Sequence, residues 1–119
     1  MSIEEEYYKI MDLVEEGKDT VLTVGLFEKF KGRILKDNVE CFENEDVLED
    51  AHNGSLYGEA GKGFYGQQAS LKVYIENDKF FVEGSVMISN YKEEVKTIGE
   101  LRDAVYTIQE SIYDDCMSQ

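Results

Sequence analysis

The sequence has few of the residues that form cross-links or carry out catalysis. It contains two cysteines, Cys41 and Cys116, and a single histidine, His52. Two cysteines without C-x-x-C spacing are too few for a disulfide framework. The pattern instead indicates two free thiols in a reducing compartment. Proline and tryptophan are absent altogether, which by itself excludes no function.

Long apolar segments are missing as well. No stretch approaches the roughly 20 apolar residues that a membrane-spanning helix needs. The first ten residues, MSIEEEYYKI, lack the basic and apolar regions of a secretory signal. These absences predict a cytoplasmic protein that does not enter a membrane.

Basic residues are scarce, and their scarcity is uneven. The chain has 26 Asp and Glu against 12 Lys and Arg, a formal net charge of −14, and residues 37–61 contain no Lys or Arg at all. So much negative charge repels nucleic acid and anionic membranes and attracts cationic partners. We therefore expect no direct binding of nucleic acid and a basic protein as the partner.

The hydrophobic residues that are present, 42% of 119, suffice for a single compact domain over residues 1–119. Residues 2–16 have the period of an amphipathic helix, opened by a capping box of Ser2 and Glu5. Residues 20–36 fit either a helix or strands, and a helix is favoured. A short acidic helix is expected over residues 44–52.

Alternating apolar and polar residues predict a β-hairpin over residues 70–89, with Ile88 in the returning strand. A third short strand is expected around Val95. Thr97 and Glu100 then form a second capping box, which opens a helix to about Tyr113. The helical period predicts a buried stripe of Leu101, Val105, Ile108 and Ile112, and it places four acids outside that stripe: Asp103, Glu110, Asp114 and Asp115. The expected fold is α+β: a small antiparallel sheet packed by N-terminal and C-terminal helices.

Glycine and aromatic residues concentrate between these two halves, and they predict a mobile loop over residues 54–68. Its GKGFYG motif matches G-x-G-x-x-G and the start of the RNP1 segment of RRM domains. The first motif binds dinucleotides only within a parallel βαβ unit, which the sequence does not predict. The second binds RNA from a strand in a protein that attracts phosphates, whereas this chain is acidic. Both interpretations therefore fail here. The aromatic residues are instead candidate anchors for a partner: Tyr57, Phe64 and Tyr65.

No constellation in the sequence indicates catalysis, a cofactor or a metal. A Cys41–His52 nucleophile pair has no evident third partner or oxyanion hole. The run from Asp37 to Asp50 lacks the Gly and the Glu at the positions that an EF-hand loop requires. The prediction is a non-enzymatic protein without cofactor or metal.

The acidic run is the strongest signal that remains. An ordinary solvated face is one interpretation, and a phosphate-like surface that fills a basic groove is the other. The candidate partner-binding carboxylates of the second interpretation are Glu40, Glu43, Glu45, Asp46, Glu49 and Asp50.

In its DNVECFENEDVLED segment and total charge, the chain resembles the small acidic inhibitors of phages and mobile elements, namely anti-CRISPR proteins and antirestriction DNA mimics. The resemblance is one of class, and no family motif assigns individual residues. It implies an inhibitor in the host cytoplasm that blocks the nucleic-acid groove of a defence nuclease or CRISPR effector. An immunity protein or antitoxin for a basic nuclease toxin is the first alternative, and an adaptor or ligand-binding domain with incidental charge is the second.

Overall fold

The computed structural model describes residues 2–40, 42, 50–60 and 67–117. Its elements, in chain order, are helices α1 (Ile3–Glu15) and α2 (Val24–Asn38), a short 3-10 helix (Asp50–Asn53), strands β1 (Ser55–Ala60), β2 (Gln67–Glu76), β3 (Lys79–Val86) and β4 (Ser89–Val95), and helix α3 (Ile98–Met117).

The four strands form one antiparallel sheet in the order β1-β2-β3-β4, so the predicted α+β class is confirmed. Apolar and polar side chains alternate along the strands, so one face of the sheet is apolar. Paired residues on that face, such as Val73 and Val82, are buried beneath the helices. The opposite face carries polar and aromatic side chains, including Lys72 and Tyr74. One covered face and one open face are common in antiparallel sheets.

Helix α3 lies directly on the middle of the sheet. A Cβ atom added at Gly84 of β3 would lie 2.4 Å from Ile108 Cγ2 and 2.9 Å from Ile112 Cδ1. The absence of a side chain at Gly84 therefore allows the helix to approach the strand closely. The apolar stripe predicted for this helix is confirmed, since all four of its residues are buried: Leu101, Val105, Ile108 and Ile112.

The N-terminal half forms a second helical layer. Ser2 Oγ accepts a hydrogen bond from the N–H of Glu5 at 3.1 Å, so Ser2 caps α1 as predicted. Residues 20–36 divide into two parts: Val21 pairs with Thr97 in an extended bridge, and the helix begins at Val24. The favoured helix is thus correct for most of this segment.

The loop predicted over residues 54–68 is wrong at both of its ends, because β1 occupies Ser55–Ala60 and β2 starts at Gln67. Gly54 supplies the turn before β1 with a φ of +82°, and its carbonyl accepts a hydrogen bond from Val73 N. Leu56 is buried on the covered face. Pairing with β2 thus outweighs the low strand propensity of the glycines. Residues 61–66 lie outside the described residues.

Three further boundaries differ from the prediction. Ile88 was predicted in the returning strand, but β3 ends at Val86 and Ile88 lies in the turn. Helix α3 continues past Tyr113 to Met117. Of the acidic helix predicted over residues 44–52, only the part from Asp50 onward is described, and it belongs to the 3-10 helix.

Candidate protein-binding surface

Only three of the nine predicted partner-binding residues lie in the described part of the chain. Glu40 follows α2, Asp50 opens the 3-10 helix, and Tyr57 is in β1. The other six lie outside the described residues: Glu43, Glu45, Asp46, Glu49, Phe64 and Tyr65.

Glu40 is held against α3 by a buried glutamine. The backbone N–H of Glu40 donates to Gln109 Oε1 at 3.2 Å, and Gln109 Nε2 donates to Glu110 Oε1 at 3.1 Å. Gln109 is only 1% exposed, so a buried amide needs these partners. The exposed Glu40 is thereby fixed beside the outward face of α3.

Tyr57 lies elsewhere. Because Leu56 is buried on the covered face, the neighbouring Tyr57 belongs to the open face of the sheet, and its side chain is 69% exposed. The structure therefore does not bring Tyr57 together with Glu40, which lies on the helical side. Tyr57 and Glu40 therefore do not belong to one site.

The outward face of α3 is acidic. Asp103, Glu110 and Asp114 are separated by seven and four residues, so they lie on one side of the helix. At about 1.5 Å of rise per residue, they are roughly 10 Å and 6 Å apart along the axis. Intervals this short are comparable with the Debye length of about 8 Å in physiological salt, so their potentials add.

Strand β4 extends this face. Glu93 pairs with the buried Val82, and its side chain is therefore on the side of the sheet that carries α3. Glu93 and Asp103 line the same shallow depression between β4 and α3. We name the combined set the α3 acidic surface, and it consists of Glu40, Glu93, Asp103, Glu110 and Asp114.

Two of these carboxylates lie close enough to Tyr106 to change its pKa. The pKa of Tyr106 is raised by the charge of Glu110, by burial and by the charge of Glu40. Glu40 and Glu110 therefore act on the same phenol, although 70 positions separate them in the sequence. Tyr106 itself is 48% exposed and offers an aromatic ring beside the acids.

The basic side chains of α2 serve a different part of the molecule. Arg33 Nη1 lies 3.3 Å from Glu4 Oε1 of α1, and Lys29 also pairs with an acid of α1, Glu6. Arg102 of α3 also pairs with an acid of α1: its Nη1 atom lies 2.7 Å from Glu15 Oε1. These exposed pairs add little stability, but they offset the charges of Glu4, Glu6 and Glu15 on α1.

Fewer acids of the α3 acidic surface are paired with a basic side chain. Asp103 Oδ1 lies 3.1 Å from Arg102 Nε. Within residues 2–40, 42, 50–60 and 67–117, no lysine or arginine is within salt-bridge distance of the other four members, Glu40, Glu93, Glu110 and Asp114. The negative charge of the described residues is therefore partitioned. Five of the seven acids of α1 and α2 have a basic partner, but only one of the five acids of the α3 acidic surface does.

Sequence reasoning assigned the acids of α3 to the outside of that helix but attached no function to them. The signal was the helical period, which separates Asp103, Glu110 and Asp114 from the buried stripe. Their proximity to Glu40 had no sequence signal, because it depends on the hydrogen bond to Gln109.

The structure describes only part of the side chains that the sequence analysis considered for catalysis or metal binding. No group of three or more His, Cys, Asp or Glu among them is placed to hold a metal ion. Cys116 is buried in α3, whereas Cys41 and the side chain of His52 lie outside the described residues. No helix in this part of the chain has the length and apolar character for crossing a membrane.

Comparison with known proteins gives no relative: no family model matches the chain, and no curated protein and no solved structure matches it significantly.

Proposed function

We propose that this protein is a non-enzymatic acidic inhibitor, which binds the basic nucleic-acid groove of a defence nuclease or CRISPR effector in place of nucleic acid. The observation that carries the proposal is the partition of charge. A protein that needed acids only for solubility would have no reason to pair its bases with one side and leave the other side acidic.

The α3 acidic surface has features that suit binding in a basic groove. Three of its five carboxylates lie on one helix and one on the adjacent strand, and a hydrogen bond holds the backbone of Glu40 to that helix. The backbone positions of the surface are therefore largely set before binding. Basic grooves bind phosphates mainly through charge, and a complementary anionic protein surface uses the same attraction. Electrostatic complementarity of this kind speeds association and makes binding sensitive to salt.

The test uses a panel of purified enzymes: a Cas9–guide RNA complex, a type I restriction endonuclease and a colicin-type DNase. Cleavage of plasmid DNA is measured against increasing amounts of this protein at about 50 and 300 mM NaCl. We expect inhibition of the Cas9 complex or the restriction enzyme, weakened about tenfold or more at the higher salt. Inhibition of the colicin-type DNase alone would support the immunity-protein alternative, and inhibition of no member would refute the proposal.

A matched pair of variants separates local charge from net charge. E40Q/E93Q/E110Q removes three charges from the α3 acidic surface, and D12N/E16Q/E76Q removes three exposed charges elsewhere. We expect the first variant to inhibit at least about tenfold less well and the second to stay within about threefold of the wild type. Equal effects of the two variants would show that net charge alone matters, which contradicts a localised mimic.

The predicted segment that lies outside the described residues is tested separately with E43Q/E45Q/D46N/E49Q. A loss of inhibition comparable with that of E40Q/E93Q/E110Q would extend the binding surface to this segment. Unchanged inhibition would confine the surface to α3, β4 and Glu40.

A further inference from the structure

The β3–β4 turn has residues that do not suit its backbone. Val86 pairs with Ser89, so Met87 and Ile88 form a two-residue turn. Met87 has a φ of +54°, whereas the φ of Ile88 is not positive. These signs match a type II′ turn, in which glycine is preferred at the first position because a side chain there meets steric hindrance. A methionine with this φ is a conformational outlier.

The same two residues are exposed. Ile88 is 100% exposed and Met87 is 50% exposed. An isolated exposed apolar side chain is ordinary on a protein surface. Here, however, backbone strain and full exposure coincide at the tip of a hairpin. The strained backbone opposes folding, and a side chain that stays exposed contributes nothing to it, so neither feature is explained by the stability of the isolated protein.

A carboxylate of α3 lies near this tip. The hydroxyl of Tyr91, which follows Ser89 by two positions, donates a hydrogen bond to Asp115 of α3. That hydrogen bond, burial and the charge of Asp115 raise the pKa of Tyr91. The contact places the C-terminal end of α3 against the first residues of β4, next to the turn.

The two acids at this end of α3 are also unfavourably placed for the helix. Asp114 and Asp115 lie close to its C-terminus, and the last turn contains no basic residue. A helix C-terminus carries a partial negative charge and favours cations. The charges and the helix dipole therefore add to a negative potential beside the apolar tip, and a cationic partner would relieve it.

From these two conflicts with local preference, we propose that Met87 and Ile88 form an anchor that inserts into an apolar pocket bordered by lysine or arginine side chains on the partner. Asp114 and Asp115 then meet those basic side chains at the rim. The inference rests on the proposed function, because the partner is taken to be the same basic protein. Interfaces of this kind gain most of their affinity from a few buried anchors, while charged rims guide association.

A second copy of the chain would be a poor binding partner for this anchor. Each copy has a formal charge of −14, so two copies repel each other. Tip-to-tip contact would also bring Asp114 and Asp115 of one copy near the same acids of the other. Charge complementarity thus favours a basic partner over self-association.

The test is a variant that suits the turn better than the natural sequence does. M87G/I88N supplies the Gly-x pair of a type II′ turn and removes both apolar side chains. We expect its urea unfolding midpoint to rise, whereas inhibition of the enzyme that the wild type inhibits weakens by about 30-fold or more. I88N alone keeps Met87 in place and tests the exposed side chain separately. D78G is the matched control at the opposite turn, and we expect it to leave inhibition unchanged.

The outcomes distinguish the anchor from the proposed function. Inhibition by M87G/I88N within about threefold of the wild type would refute the anchor. If M87G/I88N and I88N lose inhibition but E40Q/E93Q/E110Q and higher salt have no effect, the anchor stands and nucleic-acid mimicry fails. If the wild type inhibits no enzyme of the panel, both fail. A wild-type dimer that M87G/I88N converts to a monomer would identify a second copy as the occupant and refute the basic partner.

Discussion

The two ends of the sheet differ in how well the sequence suits the backbone. One end contains the β2–β3 turn, Asn77–Asp78, and the start of α3; we call it the Asn77 end. The other contains the β3–β4 turn, Met87–Ile88, and the last turn of α3; we call it the Met87 end. Both turns contain two residues and adjoin β3, but φ is positive at both residues of the first turn and only at Met87 in the second.

At the Asn77 end, the residue types suit the backbone conformation that they adopt. Asn77 and Asp78 have φ of 53° and 63°, and these two residue types tolerate the left-handed region best after glycine. At the start of α3, Thr97 Oγ1 accepts from Glu100 N at 3.1 Å, while Glu100 Oε2 accepts from Thr97 N at 3.0 Å. This reciprocal pair is the predicted capping box.

At the Met87 end the same preferences are violated by the strained Met87, the exposed Ile88 and the acids near the helix C-terminus. Natural sequences are mostly consistent between local preference and fold, and exceptions concentrate at functional sites. We therefore infer that the Asn77 end maintains the fold, whereas the Met87 end is the better candidate for contact with a partner.

Moving the unsuitable turn to the Asn77 end should have the largest effect on stability. N77M/D78I places two poorly suited side chains where both φ angles are positive. We expect a loss of about 2–3 kcal/mol in the free energy of unfolding, since the left-handed region costs roughly 1–2 kcal/mol per residue. Urea unfolding with an unchanged m-value measures the loss. A change under about 0.5 kcal/mol would show that turn chemistry does not distinguish the two ends.

The second prediction concerns Asp19, which joins the α1–α2 connection to the start of α3. Its carboxylate accepts hydrogen bonds from Thr97 Oγ1 at 2.6 Å and from Gly99 N at 2.9 Å. D19A should lower the free energy of unfolding by about 1–2 kcal/mol, because it removes an anionic acceptor from a helix N-terminus. D12N, on exposed α1, is the control and should change stability by less than about 0.5 kcal/mol.

The contribution of Asp19 also has a defined pH dependence. Burial raises the pKa of Asp19, but the hydrogen bonds from Thr97, Gly99 and Thr20 outweigh burial, so the pKa lies below its ordinary value of 3.8. A lowered carboxyl pKa stabilises the fold above the unfolded-state pKa, and the contribution is lost as the pH falls through the folded-state pKa. The stability difference between wild type and D19N should therefore stay constant from pH 7 to 5 and shrink below about pH 4. A difference that grows on acidification would contradict this assignment.

The third prediction separates the two capping boxes. E100A removes the acceptor of the N–H groups of Lys96, at 2.8 Å, and Thr97. We expect a loss of about 1 kcal/mol. S2A at the start of α1 is the matched comparison, and its effect should be smaller, because α1 buries Tyr7 alone and opens more easily than α3, which buries nine residues. Equal losses in thermal unfolding would show that the start of α3 is no more firmly held than the start of α1.

Much of the fold was predictable because its signals are local. The period of α1, the alternation in β2 and β3, and the Thr97–Glu100 capping box each depend on residues within a few positions of one another. Strand β1 was missed because its stability comes from pairing with β2 rather than from its own residues.

The candidate surface was less predictable for the same reason. The excess of acids is visible in the sequence, but its partition is not, since the pairing of Arg33 with Glu4 and of Arg102 with Glu15 joins residues far apart in the chain. The turn at Met87–Ile88 was read as strand because both residues are apolar and favour strands.

The smallest effect is expected at the Met87 end, from a change that relieves the backbone without removing Ile88. M87N places a residue that tolerates positive φ where methionine does not. We expect the free energy of unfolding to rise by about 0.5 kcal/mol, since the gain is limited to part of the strain of one residue. Inhibition should weaken less than in M87G/I88N, because the fully exposed Ile88 is retained. A midpoint equal to or below that of the wild type would mean that Met87 imposes no conformational penalty, and the contrast between the two turns would then reduce to exposure alone.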